Sequence, residues 1–281
     1  MPPGIAGIVV AAALLSAFLH AAWNAGVRAS RDPQGAMAAQ VVASGLIAVP
    51  ILVFVPPPSS AAVPWLCGSA IFNLLTLVAL LRGYQRGGGF GLVYPLARAS
   101  SPLLVLLLAS VLQGEAVSAV GVLGIALVSS SIVLFALGEG WRRSAALIYA
   151  LLAGAASAAY AICDANGARH SPSVLGYGLT MSIINAGIFG LLHRLRTGAP
   201  PTHALRSHVG IATLGAGAAS LSYFLILWVW SRAPIAIGSA LRDTSVIFAA
   251  LIAATLGERL SPQRMGAVAL VAGGACLIRF A

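Results

Sequence analysis

The sequence predicts an all-α membrane protein of ten transmembrane helices, arranged as two inverted five-helix repeats around a central cavity. Three observations predict it. First, 59% of the 281 residues are hydrophobic and only 8% are charged, whereas a soluble domain carries roughly 25% charged residues. Such a chain cannot coat a water-facing surface, which excludes a soluble enzyme, and its mean hydropathy of +0.96 excludes disorder. Second, apolar runs of about 20 residues, the length of one helical crossing, recur along the whole chain. Third, short stretches of the first half return in the second.

The runs lie at 4–27, 34–55, 63–81, 90–111, 117–137, 145–166, 174–192, 209–230, 235–256 and 262–280. Each break has a chemical reason. Arg31-Asp32-Pro33 and Arg86-Gly87-Gly88-Gly89 combine charge with helix breakers, and Pro56-Pro57-Pro58 stacks breakers alone. Trp141-Arg142-Arg143 and the stretch from His193 to His208 are the most polar interruptions. Backbone amides in hydrocarbon need internal partners, so runs of this length form helices. A barrel would show alternation in segments of about ten residues, and these runs do not alternate. Cys67, Cys163 and Cys276 lie inside runs at no metal-like spacing and read as small core residues. The amino terminus has neither the basic start nor the cleavage site of a signal peptide, so the first run is expected to be retained.

All sixteen basic residues are arginine, and the formal net charge is +10. They stand singly or in pairs between runs, the pattern of membrane loops rather than of a nucleic-acid-binding face. The odd-numbered loops hold Arg28, Arg31, Arg82, Arg86, Arg142, Arg143, Arg194, Arg196, Arg206, Arg259 and Arg264, against Arg169, Arg232 and Arg279 on the other side. Basic loops stay in the cytoplasm. That predicts a multi-pass protein of the cytoplasmic (inner) membrane with both termini outside.

Gly114-Glu115-Ala116-Val117-Ser118 returns as Gly257-Glu258-Arg259-Leu260-Ser261, and Ala126-Leu127-Val128 returns at the same offset as Ala269-Leu270-Val271. Ser16, Gly26 and Arg28 match Ser157, Gly167 and Arg169. The chain thus divides into repeats over 1–138 and 144–281. Five spans per repeat put the two copies in opposite orientations, an arrangement associated with transporters whose site lies at the repeat interface.

Two five-span halves, each with Gly-Glu-x-x-Ser between its last two spans, resemble the EamA-type transporters of the drug/metabolite transporter superfamily. His20-Ala21-Ala22-Trp23-Asn24 is similar to a His-x-x-Trp-Asn subgroup of that family. The resemblance covers nearly the whole chain. It implies a ten-helix bundle whose cavity is lined by the first, third and fourth helices of each half. It also implies transport of small metabolites, among them amino acids, organic cations, phosphorylated compounds and drugs.

Polar residues inside apolar spans are costly and mark candidate sites. His20, Trp23 and Asn24 share one helical face; they read as cavity lining with His20 as a candidate proton carrier, or as neutral groups bonded across helices. Tyr94, Arg98 and Ser101 share a face of the fourth span beside Pro95, and Arg242-Asp243 occupies the related place in the ninth. Guanidinium groups hold carboxylate or phosphate through paired hydrogen bonds. The alternative is that Asp243 or Asp164 neutralises both arginines structurally. Tyr160 and Asp164 share a face of the sixth span, where Asp164 suits an ammonium group, a proton, or a helix cap near water. Asn73 and Tyr84 suit a cavity wall, with Tyr223 and Trp228 as equivalents in the eighth span. Trp65, Trp141 and Trp230 read as interfacial anchors, Glu115 and Glu258 as turn and capping residues, and Gly121, Gly124, Gly273 and Gly274 as helix-contact surfaces.

No catalytic constellation, phosphate-cradling loop or metal-ligand spacing is present in the sequence, so neither an enzyme nor a cofactor is expected. The expected function is secondary transport of a small zwitterionic or anionic metabolite, such as an amino acid or similar amine-plus-acid compound, by alternating access. A proton or counter-solute is a candidate partner, and the assembly a monomer or homodimer. The alternatives are a lipid-linked substrate flippase of the same fold and a non-transporting membrane scaffold.

Overall fold

In the computed structural model, residues 6–86, 90–136, 144–255 and 262–280 are described. Among them there is no strand. The helices are α1 (Gly7–Ala29), α2 (Pro33–Leu52), α3 (Val63–Gln85), α4 (Phe90–Gln113), α5 (Ala119–Ala136), α6 (Ser144–Arg169), α7 (Val174–Thr197), α8 (Pro201–Ser207), α9 (Ala216–Trp230), α10 (Ile235–Asp243), α11 (Ser245–Thr255) and α12 (Pro262–Ile278). Eight helical stretches among the described residues are long and apolar enough to cross a membrane. The fifth and tenth predicted spans hold shorter apolar helices, Ala119–Ser131 and Met265–Ile278.

Helix ends follow local chemistry. The Gly35 N–H donates to the Asp32 carboxylate at 3.0 Å, capping α2 just before Pro33. That bond, reinforced by His208 at 3.8 Å, holds the Asp32 carboxyl below the usual carboxylate range. Ser173 caps α7 in the same way. Gly114 ends α4 with φ of +65°, a conformation that favours glycine, and so turns the chain to present Glu115.

Two spans differ from continuous helices. A π-helical turn, Ile211–Gly215, precedes α9. The ninth span breaks at Thr244, whose hydroxyl donates back to the Leu241 carbonyl at 2.6 Å and competes with the helical ladder. No proline marks this break, which is why hydrophobicity alone reads the span as unbroken.

The molecule is apolar outside and polar within. Large hydrophobic side chains such as Leu46, Phe54, Leu107, Leu152 and Leu214 are exposed, while Ser16, His20, Gln40, Asp164, Arg242 and Asp243 are buried. Lipid explains the first group, and the second marks the interior. The contacts pair helices across the chain: α3 with α6 and α1 with α9, α4 with α6 and α1 with α11, α2 with α7, α5 with α12, and α4 with α10. At the α5–α12 crossing a Cβ on Gly124 would strike the Gly274 carbonyl oxygen, and one on Gly274 would strike that of Gly124. Glycine here permits backbone approach; a Cβ on Gly273 would meet nothing.

Three expectations are corrected. Trp230 is not an interfacial anchor: it is 1% exposed, against Gly238. Cys67 and Cys276 are exposed on the apolar surface rather than in the core, where only Cys163 is buried. Trp228 is not a cavity residue; its ring lies under the Arg232 guanidinium at 4.4 Å. Trp141 and Glu258 lie outside the described residues.

Candidate functional site

The helices enclose a cavity of about 320 Å³. Contacts between helix ends mark two faces of the bundle. The α4–α5 and α9–α10 connections lie at one face, called here the clasp face; the α1–α2 connection and α8 lie at the opposite face. The α1 to α4 residues that line the cavity, from Asn24 and Met37 to Leu80 and Tyr94, come from the parts of those helices nearer that opposite face.

The fourth-span arginine is fully engaged. Arg98 donates through Nη1 to Asp243 Oδ1 at 3.0 Å, through Nε to the Tyr94 hydroxyl at 3.2 Å, and through Nη2 to His20 Nε2 at 2.7 Å. A guanidinium has only donors, so His20 Nε2 accepts and carries no proton in this arrangement. The Trp23 ring stands edge-on to that imidazole, with centroids 5.3 Å apart. Asn24 donates to its own helix at the His20 carbonyl, 2.7 Å away.

Arg242 is different. It is 9% exposed and lines the cavity. Nη1 reaches the Tyr160 hydroxyl at 3.5 Å, Nε is buried without a hydrogen-bond partner, and among the described residues no carboxylate lies within 4.0 Å of it. The ring of Trp230 lies 5.8 Å from its Cζ. The two buried arginines thus differ: Arg98 is ion-paired with Asp243, and Arg242 has no ion pair within 4.0 Å among the described residues.

Asp164 also lines the cavity at 2% exposure. Its Oδ1 accepts from the Tyr177 hydroxyl at 3.1 Å and its Oδ2 from the Tyr223 hydroxyl at 2.9 Å. Burial sets aside the reading of Asp164 as a cap near water. Asn73 donates to Asn185 Oδ1 at 3.4 Å across the cavity wall.

The structure therefore brings His20, Trp23, Asn24, Asn73, Tyr94, Arg98, Tyr160, Asp164, Tyr223 and Arg242 to one cavity. Three expected residues stand back from it. Asp243 lies behind Arg98 as its counter-ion. Ser101 donates to the Ser157 hydroxyl, and it is Ser157 that reaches the cavity. Tyr84 packs against Val93, Leu96, Ala146 and Ala150. Residues not anticipated also contribute: Gln40, Ser44, Thr76, Ser182, Asn185 and Ser220. Gln40 and Asn185 break apolar runs just as Asn73 does, so the same rule applied evenly along the chain finds them.

At the clasp face, Glu115 joins both halves. Its Oε1 meets Arg169 Nη1 at 2.7 Å, and its Oε2 accepts from the Ile235 N–H, the first turn of α10, at 2.8 Å. Arg169 also donates to the Trp230 and Ala233 carbonyls at 3.0 and 3.1 Å. Glu115 is thus a capping residue, as its turn suggests, but the helix it caps is α10. Beneath it, Ser16 and Ser222 exchange reciprocal bonds of 2.7 Å between α1 and α9.

The chain is similar to a solved crystal structure at 17% identity, with a TM-score of 0.70, covering 96% of this chain and 94% of that one; at this identity the likeness concerns the fold. No curated protein sequence matches it. Residues 144–280 match the EamA-like transporter family. The matched region carries Tyr160, Asp164, Tyr223 and Arg242 of the cavity wall.

Proposed function

We propose that the chain is a secondary transporter of the cytoplasmic membrane that moves a small zwitterionic or anionic metabolite by alternating access. The observation that carries this reading is the buried guanidinium of Arg242 in a cavity wall, with no ion pair within 4.0 Å among the described residues and its Nε without a hydrogen-bond partner. An unpaired buried cation is costly, and a carboxylate or phosphonate on the cargo supplies the missing charge through paired hydrogen bonds. Tyr160 flanks that position, while Asn24, Gln40, Ser44, Ser182 and Asn185 offer acceptors to an amine elsewhere in the cavity. Arg98, Asp243, Tyr94 and His20 form a neutral strut between α4, α10 and α1 that holds α10, and hence Arg242, in place.

Size favours a metabolite over a lipid. A cavity of about 320 Å³ is at the lower end of the roughly 300–1,000 Å³ range of ligand pockets. The helix pairs interchange when spans one to five are swapped for six to ten: α3–α6 becomes α9–α1, α4–α6 becomes α11–α1, and α2–α7 maps onto itself. That interchange supports two five-helix units, 1–138 and 144–281, related by a two-fold axis in the membrane plane.

Thermal-shift measurement of purified protein against a library of amino acids and aminophosphonates is the direct test, because a ligand of the native state raises apparent stability. We expect stabilisation by compounds bearing an acid group, lost when that group is amidated. Equal stabilisation by the amides would remove the anion site. The arginine distribution further supports an orientation with the clasp face and both termini outside the cell. A carboxy-terminal fusion reporter that works only in the cytoplasm should then stay silent, and strong signal would reverse the orientation.

A further inference from the structure

We propose that Asp164 is a proton-binding site of the carrier, through which cargo movement is coupled to a proton gradient. Coupling rests on the transport reading above; protonation itself does not. His20, the other candidate, accepts a hydrogen bond from Arg98 through Nε2, so protonating it breaks the strut. Asp164 has no such obstacle. Among the described residues it has no cationic partner within 4.0 Å, and a lone buried carboxylate at membrane depth is costly. It faces the cavity, which gives a proton a path.

The groups that act on it come from α3, α6, α7, α9 and α10. Ser69 of α3, Tyr177 of α7 and Tyr223 of α9 hydrogen-bond to the carboxylate, Arg242 of α10 acts on it through space, and Cys163 adjoins it on α6. Each oxygen already holds one tyrosine hydroxyl, and the residue is 2% exposed. An ammonium group would have to displace a tyrosine, whereas a proton needs no room. A hydronium reaching the cavity from bulk solvent gives its proton to Oδ2: an O–H bond breaks on the hydronium, one forms on the carboxylate, a neutral water is left, and the Tyr223 hydroxyl rotates from donor to acceptor. The carboxylate loses its charge to the proton taken up, and nothing is oxidised or reduced.

Infrared difference spectra of purified protein in nanodiscs, recorded from alkaline to acid pH, test the site without any cargo. Expected is a carboxylic C=O band that grows on acidification, is absent in Asp164→Asn, and moves to higher frequency in Tyr223→Phe because the protonated group loses a partner. A wild-type spectrum without a band that Asp164→Asn removes overturns the proposal, and the Tyr223→Phe spectrum decides it should Asp164→Asn not fold. In proteoliposomes, a labelled mixture of L-amino acids tests coupling. Asp164→Asn should lose pH-gradient-driven accumulation by roughly tenfold or more, within the usual range of coupling between sites. Wild-type exchange indifferent to the gradient overturns coupling. Wild-type failure to exchange any probe counts against the proposed function, and the infrared result then decides the proton site alone.

Discussion

Arg242→Gln is expected to abolish binding and flux of acid-bearing probes while leaving the fold intact. Hydrogen bonds to charged groups contribute roughly 1.5–3 kcal/mol each, so losing a bidentate pair lowers affinity by at least about 100-fold. Glutamine keeps an uncharged hydrogen-bonding group on a side chain two atoms shorter, and since Arg242 has no ion-pair partner within 4.0 Å among the described residues, its removal breaks no salt bridge. Arg98→Gln should behave in the opposite way. It leaves Asp243, 3% exposed, without its counter-ion at 3.0 Å, and breaking a buried pair costs roughly 3–5 kcal/mol. The comparison is a melting temperature and a dissociation constant for each variant. Unchanged affinity in Arg242→Gln removes the anion site. A stable Arg98→Gln that no longer binds would move the cargo to the other guanidinium.

The split between these two arginines shows where sequence reasoning stops. Composition and run length foretell the helices because lipid imposes one demand on every exposed position, and Leu46 or Leu152 meets it whatever its neighbours. Polar residues in apolar runs foretell the cavity for the same reason: Asn73, Asp164 and Arg242 cannot face hydrocarbon and therefore face inward. Which arginine is compensated depends on an α4–α10 contact between residues 145 positions apart, and spacing along one helix carries no trace of it. Trp230 misleads for a related reason. An aromatic near a span end suits an interface, but Gly238 on the next helix opens a slot that buries it.

Glu115 is where the long-range contact has the largest mechanical consequence, and its replacement is expected to open the clasp face. One carboxylate holds the Arg169 guanidinium at the end of α6 and the first N–H of α10, so the first half closes the bundle by capping a helix of the second. On the proposed alternating-access reading, this contact breaks in one of the two states. Glu115→Gln keeps an acceptor for Ile235 and gives up the charge on Arg169; Glu115→Ala gives up both. At roughly 1.5–3 kcal/mol per charged hydrogen bond, the alanine variant, which loses two, shifts the balance toward the open clasp by at least about a hundredfold, and glutamine by less. A thiol in place of Ala236, 1% exposed at the start of α10, reports the opening once Cys67, Cys163 and Cys276 are replaced. Its labelling by a membrane-impermeant maleimide in nanodiscs should be slow with Glu115 present, faster with glutamine and fastest with alanine. Saturating cargo, by favouring one state over the other, should change the rate in the Glu115 protein most. Equal labelling in all three, with equal flux, would make Glu115 a static cap and place the moving contact elsewhere.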